Sequence, residues 1–225
     1  EEGIEVFQEE KYYLLKKNVK IQSDNFMLFG DQIKIFFEDD LYDIKRIIAN
    51  GSVNLESSSY NISAKGEKIS LILEDEEIFV EGNNSELKTD NFFMYSNNSI
   101  KINNLNGNFV LSGINSMVKN DNITIRGEVI DGLFASKDNQ KEIILLNVKD
   151  KNISYINNGK SEMFANIINY NKETSIIKLN DNVKIITDGE TVMGDYGELN
   201  TASNSYKISS KNSNKVKVII TNENE

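Results

Sequence analysis

Carboxylates are the most numerous residues in this chain that could do acid–base or metal chemistry. The 225 residues include 35 Asp and Glu but no His and no Cys. The commonest general base and metal ligand is therefore missing, and so are thiolate sites. Two acidic runs, residues 38–40 and 74–77, offer paired carboxylates of the kind used by glycosidases or calcium sites. Neither run has the Asp-x-Asp-x-Asp-Gly spacing of a calcium loop, and both favour solvated hairpin tips.

The sequence also lacks the motifs of nucleophilic and nucleotide chemistry. Without His, only Lys or a carboxylate could activate a serine, and no Gly-x-Ser-x-Gly is present. The glycines at 189, 194 and 197 do not form a dinucleotide-binding fingerprint. We therefore expect a protein that is not an enzyme and needs neither a metal nor another cofactor.

The net charge and the mean hydropathy argue against several classes of binding partner. The net charge is -10 and the pI is about 4.7, which argues against nucleic-acid binding and against simple adhesion to anionic membranes. Mean hydropathy is -0.43, and no apolar run approaches the ~18 residues of a membrane span. These values are typical of a soluble protein.

Period-two alternation with β-branched residues dominates the chain and predicts half-buried strands. Examples are Val19-Lys20-Ile21, Ile33-Lys34-Ile35 and Val183-Lys184-Ile185. Asn- and Gly-rich segments between the runs, including Asn50-Gly51, predict hairpin turns. Residues 40–48 fit a helix or a strand, and the strand is favoured because its neighbours are strands. The fold class is therefore all-β.

Part of the sequence is repeated. Asn18-Val19-Lys20-Ile21 matches Asn182-Val183-Lys184-Ile185, and each copy reaches a Gly-Asp pair at the same offset, Gly30-Asp31 and Gly194-Asp195. Looser copies begin at Gly51 and Asn152 and lead to Ala64 and Ala165. The small residue in each copy permits either close approach of a neighbouring backbone or a simple turn. We expect two modules, residues 1–115 and 116–225, or one continuous β-structure.

These repeats resemble the OstA-like repeat of the LptA-type lipopolysaccharide-transport proteins. The resemblance is carried by residues 14–35 with 47–64, and by 143–165 with 170–208. The segment Tyr170 to Val183 is especially similar, with a tyrosine, a polar turn, an apolar strand and then Asp-Asn-Val. Lys17-Asn18-Val19 and Asp181-Asn182-Val183 lack the glycine that the family places before Asn-Val.

The resemblance implies a fold, a location and a set of partners. The fold would be an elongated, twisted antiparallel β-jelly roll of many short strands, open at the ends. The protein would be periplasmic, with its signal peptide removed, and would shield the acyl chains of lipopolysaccharide (lipid A) in an apolar groove while bridging inner- and outer-membrane components. Its partners would be lipopolysaccharide, other transport components that pair with its edge strands, and further copies in head-to-tail self-association.

The inward-facing positions of the alternating strands are the candidate lipid contacts. Ordinary sandwich core is the simpler interpretation of any one of them, and a groove is a core left partly unfilled. The candidates are Val19, Ile21, Phe26, Leu28, Ile33, Ile35, Val53, Leu55, Ile62, Val183 and Ile185. Two other hypotheses stay open: a structural or adhesin-type β-repeat surface protein with a filled core, and a β-helix enzyme that uses carboxylates alone.

Overall fold

The computed structural model describes residues 3–40, 42–59, 61–137, 140–187, 189–211 and 214–220, without the side chains of 136, 137 and 140. Within these ranges there are seventeen strands and no helix, so no helix that could cross a membrane is present there. All the strand pairs with a described register are antiparallel. The predicted all-β, antiparallel fold class is confirmed. The strands are β1 (Gly3–Phe7), β2 (Tyr12–Gln22), β3 (Phe26–Phe37), β4 (Ile44–Ser57), β5 (Ile62–Ile72), β6 (Glu77–Glu81), β7 (Ser85–Lys88), β8 (Phe93–Ser96), β9 (Ser99–Asn103), β10 (Asn108–Lys119), β11 (Thr124–Lys137), β12 (Gln140–Asn157), β13 (Glu162–Asn171), β14 (Ile176–Thr187), β15 (Glu190–Asn200), β16 (Ser205–Ser209) and β17 (Lys217–Ile220).

The chain divides into two compact units, unit 1 (Glu1–Gly113) and unit 2 (Ile114–Glu225). The division falls inside β10. The sequence interpretation of two modules split at residue 115 stays a prediction.

In unit 1 the long strands bend at their midpoints and contribute to two half-sheets. The pairing register slips at each bend, for example between Lys16 and Val19 of β2 and between Asn50 and Val53 of β4. We call these bends corners. Half-sheet A contains β1, β6, β9, residues 109–112 and the residues 12–16, 32–37, 44–50 and 68–72 of the bent strands. Half-sheet B contains residues 19–22, 26–30, 53–57 and 62–66 together with β7 and β8.

Unit 2 has the same construction. Half-sheet C is made of residues 129–137, 140–149, 167–171, 176–180, 196–200 and β16. Half-sheet D is made of residues 124–126, 154–157, 162–165, 183–187, 190–194 and β17. The strands are longer than the alternating runs in the sequence because each one passes through a corner and continues on the other side.

Residues with positive φ produce several of the corners and explain the repeated Asn-Val motif. Lys17 and Asn18 have φ of 66° and 49°, and Asp181 and Asn182 have φ of 61° and 55°. Asn and Asp tolerate this left-handed conformation better than most residues. The motif therefore marks a two-residue bulge rather than the start of a strand.

The prediction of a hairpin turn at Asn50-Gly51 is wrong. Both residues lie inside β4, where Gly51 has φ of 96° at the corner. A bulge and a hairpin turn both require positive φ, so the local sequence is the same for the two. The strand interpretation of residues 40–48 agrees with β4, which begins at Ile44; residue 41 lies outside the described residues.

The small residues of the repeat allow a neighbouring strand to approach closely. Gly30 and Gly194 pair with Val19 and Val183 just beyond the corners. A Cβ on Gly194 would lie 2.5 Å from Cγ2 of Ile208. In the third copy the equivalent partner of Val53 is Gly66, not Ala64 as the sequence spacing predicted.

Candidate functional site

The interior of unit 1 is lined by cross-strand rows of apolar side chains. Two rows cross half-sheet A, because residues directly opposite each other in the register share a face. Half-sheet B contributes a third row. The rows are Ile4, Leu15, Ile33, Ala49, Ile69, Val80, Ile100 and Leu111; then Val6, Tyr13, Ile35, Ile47, Leu71, Ile78, Ile102 and Phe109; and, in half-sheet B, Ile21, Leu28, Leu55, Ala64, Leu87 and Met94.

The structure places the sequence candidates of unit 1 on this interior. Ile21, Leu28, Ile33, Ile35 and Leu55 belong to the rows above, and Phe26 pairs with Ser57, which in turn pairs with Ile62. Val19 and Val53 lie at the corners and are buried. Ile21, Phe26 and Ile35 are only half-buried. Whether any of the nine contacts a lipid stays a prediction.

In both rows of half-sheet A the exposed fraction of the side chains rises steeply toward β1. From Ile33 to Leu111 every side chain of the first row is 0% exposed, whereas Ile4 at its other end is 66% exposed. In the second row Ile47 is 1% exposed and Val6 is 49% exposed. The apolar interior is therefore filled through the middle strands and uncovered at β1.

A small apolar pocket lies between the two half-sheets. It has a volume of about 40 Å³ and is lined on one side by Phe26 and Leu55 of half-sheet B, and on the other by Leu71 and Ile78 of half-sheet A. We call it the slot. Leu73, which is 37% exposed, lies at its margin in the turn after β5.

A larger and more polar cleft lies across the tips of half-sheet B, with a volume of about 720 Å³. Phe26 and Ser57 line both this cleft and the slot. Its other lining residues are mostly hydroxyl, amide and charged side chains, with one lysine: Gln22, Ser23, Met27, Glu56, Ser58, Asn61, Ile62, Ser63, Lys88, Thr89 and Asp90.

The tips of half-sheet A are strongly acidic. The turns at residues 8–11, 38–43 and 73–76 carry two, four and three carboxylates respectively. The sequence prediction that both acidic runs lie at hairpin tips agrees with these turns. Three of these and the nearby carboxylates are paired with cations. Glu38 and Asp43 lie 3.1 Å and 3.5 Å from Lys45, and Glu77, at the start of β6, lies 3.0 Å from Lys101.

In unit 2, Val183 and Ile185 are buried on the interior of half-sheet D. The row that contains Ile185 runs from Ile125, which is 0% exposed, to Val218 of β17, which is 52% exposed. Unit 2 therefore resembles unit 1, because its apolar interior is buried along most of the row and exposed at a terminal strand, here β17.

Polar side chains form hydrogen-bonded ladders on the outer face and corners of unit 2. Asn147 donates to Asp131 and Asn169 donates to Asn147, both at 2.8 Å. At the corners, Asn182 donates to Asn166 at 2.6 Å. These ladders stabilise neighbouring strands from outside the apolar interior.

The sequence analysis missed the exposed end of the interior. Ile4, Val6, Tyr13 and Leu15 complete the two rows of half-sheet A. The alternation Ile4-Glu5-Val6 was a usable signal, but the charged residues around it obscured the strand.

The described side chains show no arrangement suited to metal chemistry. Within those residues, no group of three or more His, Cys, Asp or Glu could hold a metal ion. Asp195 has a pKa below its usual value because the backbone N–H of Lys211 and the side chain of Asn214 donate hydrogen bonds to it. This carboxylate anchors the segment after β16, and the expectation of a protein that is not an enzyme stays a prediction.

No protein-family model and no curated protein matches the chain. Among solved structures, the fold is similar to the crystal structure of LptH, described as the LptA homologous periplasmic component of the conserved lipopolysaccharide transport device from Pseudomonas aeruginosa. The similarity covers 58% of this chain and 94% of that chain, at 14% sequence identity and a TM-score of 0.47. At this level it assigns no function to the chain.

Proposed function

We propose that the chain is a periplasmic carrier of lipopolysaccharide-type lipids, which shields acyl chains in the apolar interior and hands the lipid on without chemistry. The observation that carries the proposal is the rise in exposure along the interior rows, from fully buried Ile33 to 66% exposed Ile4. Apolar side chains that face inward yet remain in water offer a surface for an acyl chain. The sequence resemblance of the repeats to the LptA-type family supports the same assignment.

Shielding an acyl chain from water avoids a large cost in free energy. Exposing one CH₂ group to water costs about 0.8 kcal/mol, so a chain of about a dozen carbons costs roughly 10 kcal/mol. A lipid therefore needs a continuous apolar cover to cross an aqueous compartment. In unit 1, Ile4 and Val6 of β1 supply the exposed part of such a surface, and half-buried Tyr13, Leu15 and Ile35 continue it.

Strands β1 and β17 have exposed residues to which the proposed partners can bind. Four of the five residues of β1 are exposed, and all four of β17 are exposed. A terminal strand can pair with a strand of another chain through its main-chain groups. We propose that other transport components, or further copies of this chain, bind there, so that the lipid passes between apolar interiors.

A structural β-repeat protein is the second candidate, favoured by two observations. The middle of each interior is filled, with the slot in unit 1 only about 40 Å³ in volume. The hydrogen-bonded ladder through Asn147 is the kind of contact that stabilises a static stack of strands. In such a protein the exposed ends would serve assembly alone.

Binding of lipopolysaccharide with labelled acyl chains, followed by native mass spectrometry, separates the two candidates. The test variant is Ile35→Asp, because Ile35 faces the interior yet is half-buried and tolerates a polar group better than fully buried Ile185. The control is Gln32→Asp, which adds the same charge to the outer face of the same strand.

We expect wild-type protein and Gln32→Asp to retain one lipid in a manner that depends on its acyl chains, and Ile35→Asp to lose most of it. Circular dichroism establishes that each variant is folded. Absence of retention by folded wild-type protein, or equal retention by both variants, would count against the carrier function and favour the structural repeat.

A further inference from the structure

A hydrogen bond joins the tips of half-sheets C and D in unit 2. Oη of Tyr206 in half-sheet C donates to Oε2 of Glu190 in half-sheet D at 2.6 Å. Glu190 is the first residue of β15 and Tyr206 is the second residue of β16, so both lie at strand ends remote from the corner beside Asp195. We call this contact the tip bond.

Both partners of the tip bond face the interior of unit 2. Tyr206 pairs with buried Leu199 in the register and therefore shares the interior row of half-sheet C. Glu190 lies two residues before buried Val192 on β15, so it faces the interior of half-sheet D. Each partner is itself half-buried. A polar pair therefore lies at the margin of an apolar interior.

The tip bond lies where the interior changes from buried to exposed. On one side, Leu199 and Val192 are 1% and 5% exposed. On the other side, Ile220, which is the register partner of Glu190 on β17, is 72% exposed, and Val218 is 52% exposed. An acyl chain that moved from β17 into the buried part of the interior would pass between these two tips.

The chemistry of the tip bond makes it stable but breakable. A hydroxyl that donates to a carboxylate forms a charge-assisted hydrogen bond, which is stronger than a bond between neutral groups. Burial, followed by the hydrogen bond to Glu190 and the charge of that residue, raises the pKa of Tyr206 above its ordinary 10.0. The hydroxyl therefore remains a donor at neutral pH, and a single bond holds the pair together.

The corner end of the same strands is held by different contacts. The backbone N–H of Lys211 donates to Asp195 at 2.7 Å, and Nδ2 of Asn214 donates to the same carboxylate at 3.1 Å. These bonds fix the segment between β16 and β17 beside the corner. Loss of the tip bond would therefore free the tips of the two half-sheets while the corner stayed in place as a hinge.

We infer that the hydrogen bond between Tyr206 and Glu190 is a latch that regulates passage of an acyl chain at the exposed end of the interior of unit 2. When the bond is formed, the tips of half-sheets C and D are held together. When it breaks, the tips separate and an acyl chain enters or leaves. This inference rests on the proposed lipid-carrier function and adds to it the regulation of the interior beside β17.

The test compares rates, because a latch changes how fast a lipid enters and leaves, whereas a residue that contacts the lipid changes its affinity. The first variant is Tyr206→Phe, which removes the hydroxyl and keeps the ring. The matched control is Tyr196→Phe, because Oη of Tyr196 donates to Glu198 at 3.2 Å on the outer face of the same half-sheet. Glu190→Ala is the second variant, and Glu198→Ala is its control.

The probe is lipopolysaccharide with fluorescent acyl chains, mixed with each protein by stopped flow and then displaced by unlabelled lipopolysaccharide. We expect Tyr206→Phe and Glu190→Ala each to speed both entry and release by about threefold to tenfold. The Kd of Tyr206→Phe should change less than about twofold, and the double variant should be no faster than the faster single variant, because both changes remove the same bond. Both controls should keep wild-type rates.

Amide hydrogen exchange provides a measurement that needs no lipid. In lipid-free protein, the amides of β16 and β17 should exchange about threefold to tenfold faster in Tyr206→Phe than in wild type, because the tips open more often. Tyr196→Phe should exchange at the wild-type rate in both strands. Circular dichroism establishes that every variant is folded.

Wild-type entry and release rates in folded Tyr206→Phe and Glu190→Ala would overturn the latch while leaving the carrier function intact. A loss of affinity without faster entry, or equal acceleration by Tyr196→Phe, would also overturn it, because the first indicates a lipid contact and the second a general loosening of unit 2. Retention of no lipid by folded wild-type protein would refute the carrier function and the latch with it.

Discussion

Gly194 and Gly30 occupy the same place in the sequence repeat but differ in how closely a neighbour approaches. A Cβ on Gly194 would lie 2.5 Å from Cγ2 of Ile208 and 2.8 Å from the backbone oxygen of Ser209. Carbon atoms normally contact at about 3.5–4.0 Å, so β16 must shift. The nearest atom to a Cβ on Gly30 is the backbone oxygen of Asn50 at 3.2 Å, which requires movement of only a few tenths of an ångström.

These distances predict different losses of stability for the two alanine variants. Overpacking costs about 1–3 kcal/mol, and replacing glycine where φ is compatible returns about 0.4–1 kcal/mol through the unfolded chain. Neither glycine has positive φ. We therefore expect Gly194→Ala to lower the free energy of unfolding by about 1–2 kcal/mol and Gly30→Ala to change it by less than about 0.5 kcal/mol.

Calorimetric melting measures the difference. A loss of about 1–2 kcal/mol corresponds to a fall in Tm on the order of 4–8 °C for a unit of this size. Gly3→Ala is the control for the change in residue type, because no atom lies within 4 Å of a Cβ there. If Gly30→Ala proved as destabilising as Gly194→Ala, the close approach at the corner would not be the reason for the glycine.

Three further changes probe the corners and the outer face. Asn18→Val should destabilise by about 1–2 kcal/mol, since φ at Asn18 is 49°, whereas Asn18→Gly should be nearly neutral in urea unfolding. Asn147→Ala should lower the free energy of unfolding by about 0.5–1.5 kcal/mol in the same assay, because it removes the hydrogen bonds of this side chain. An unchanged urea midpoint would show that the ladder does not contribute to stability. The hydrogen bonds to Asp195, chiefly from the backbone N–H of Lys211, lower its folded pKa below the ordinary 3.8. The ionised Asp195 side chain therefore stabilises the folded chain above pH 3.8, and this contribution is lost as the pH falls through the lower folded pKa. Asp195→Asn should be less stable than wild type near neutral pH, and the gap should close below about pH 4; a constant gap in urea midpoints would contradict this reasoning.

Period-two alternation was sufficient to predict the fold class, because a chain such as Ile33-Lys34-Ile35 can bury one face only as a strand. The acidic tips were equally readable, since four successive carboxylates in residues 74–77 cannot enter an apolar interior. The Asn-Val repeat was also visible in the sequence, although its meaning as a bulge needed the backbone angles of Asn18 and Asn182.

The pairing of strands in the folded chain decided between local structures that the sequence alone allowed equally. Asn50-Gly51 suits a hairpin or a corner equally, and only the register of β4 against β5 places it inside a strand. The cleft joins turns that are distant in sequence, so residues such as Asn61 and Asp90 had no local signal that they meet. Whether Ile4 is exposed while Ile33 is buried depends on how many strands flank each one. Alternation determines which way a side chain faces; the number of neighbours it meets there is a property of the assembled sheets alone.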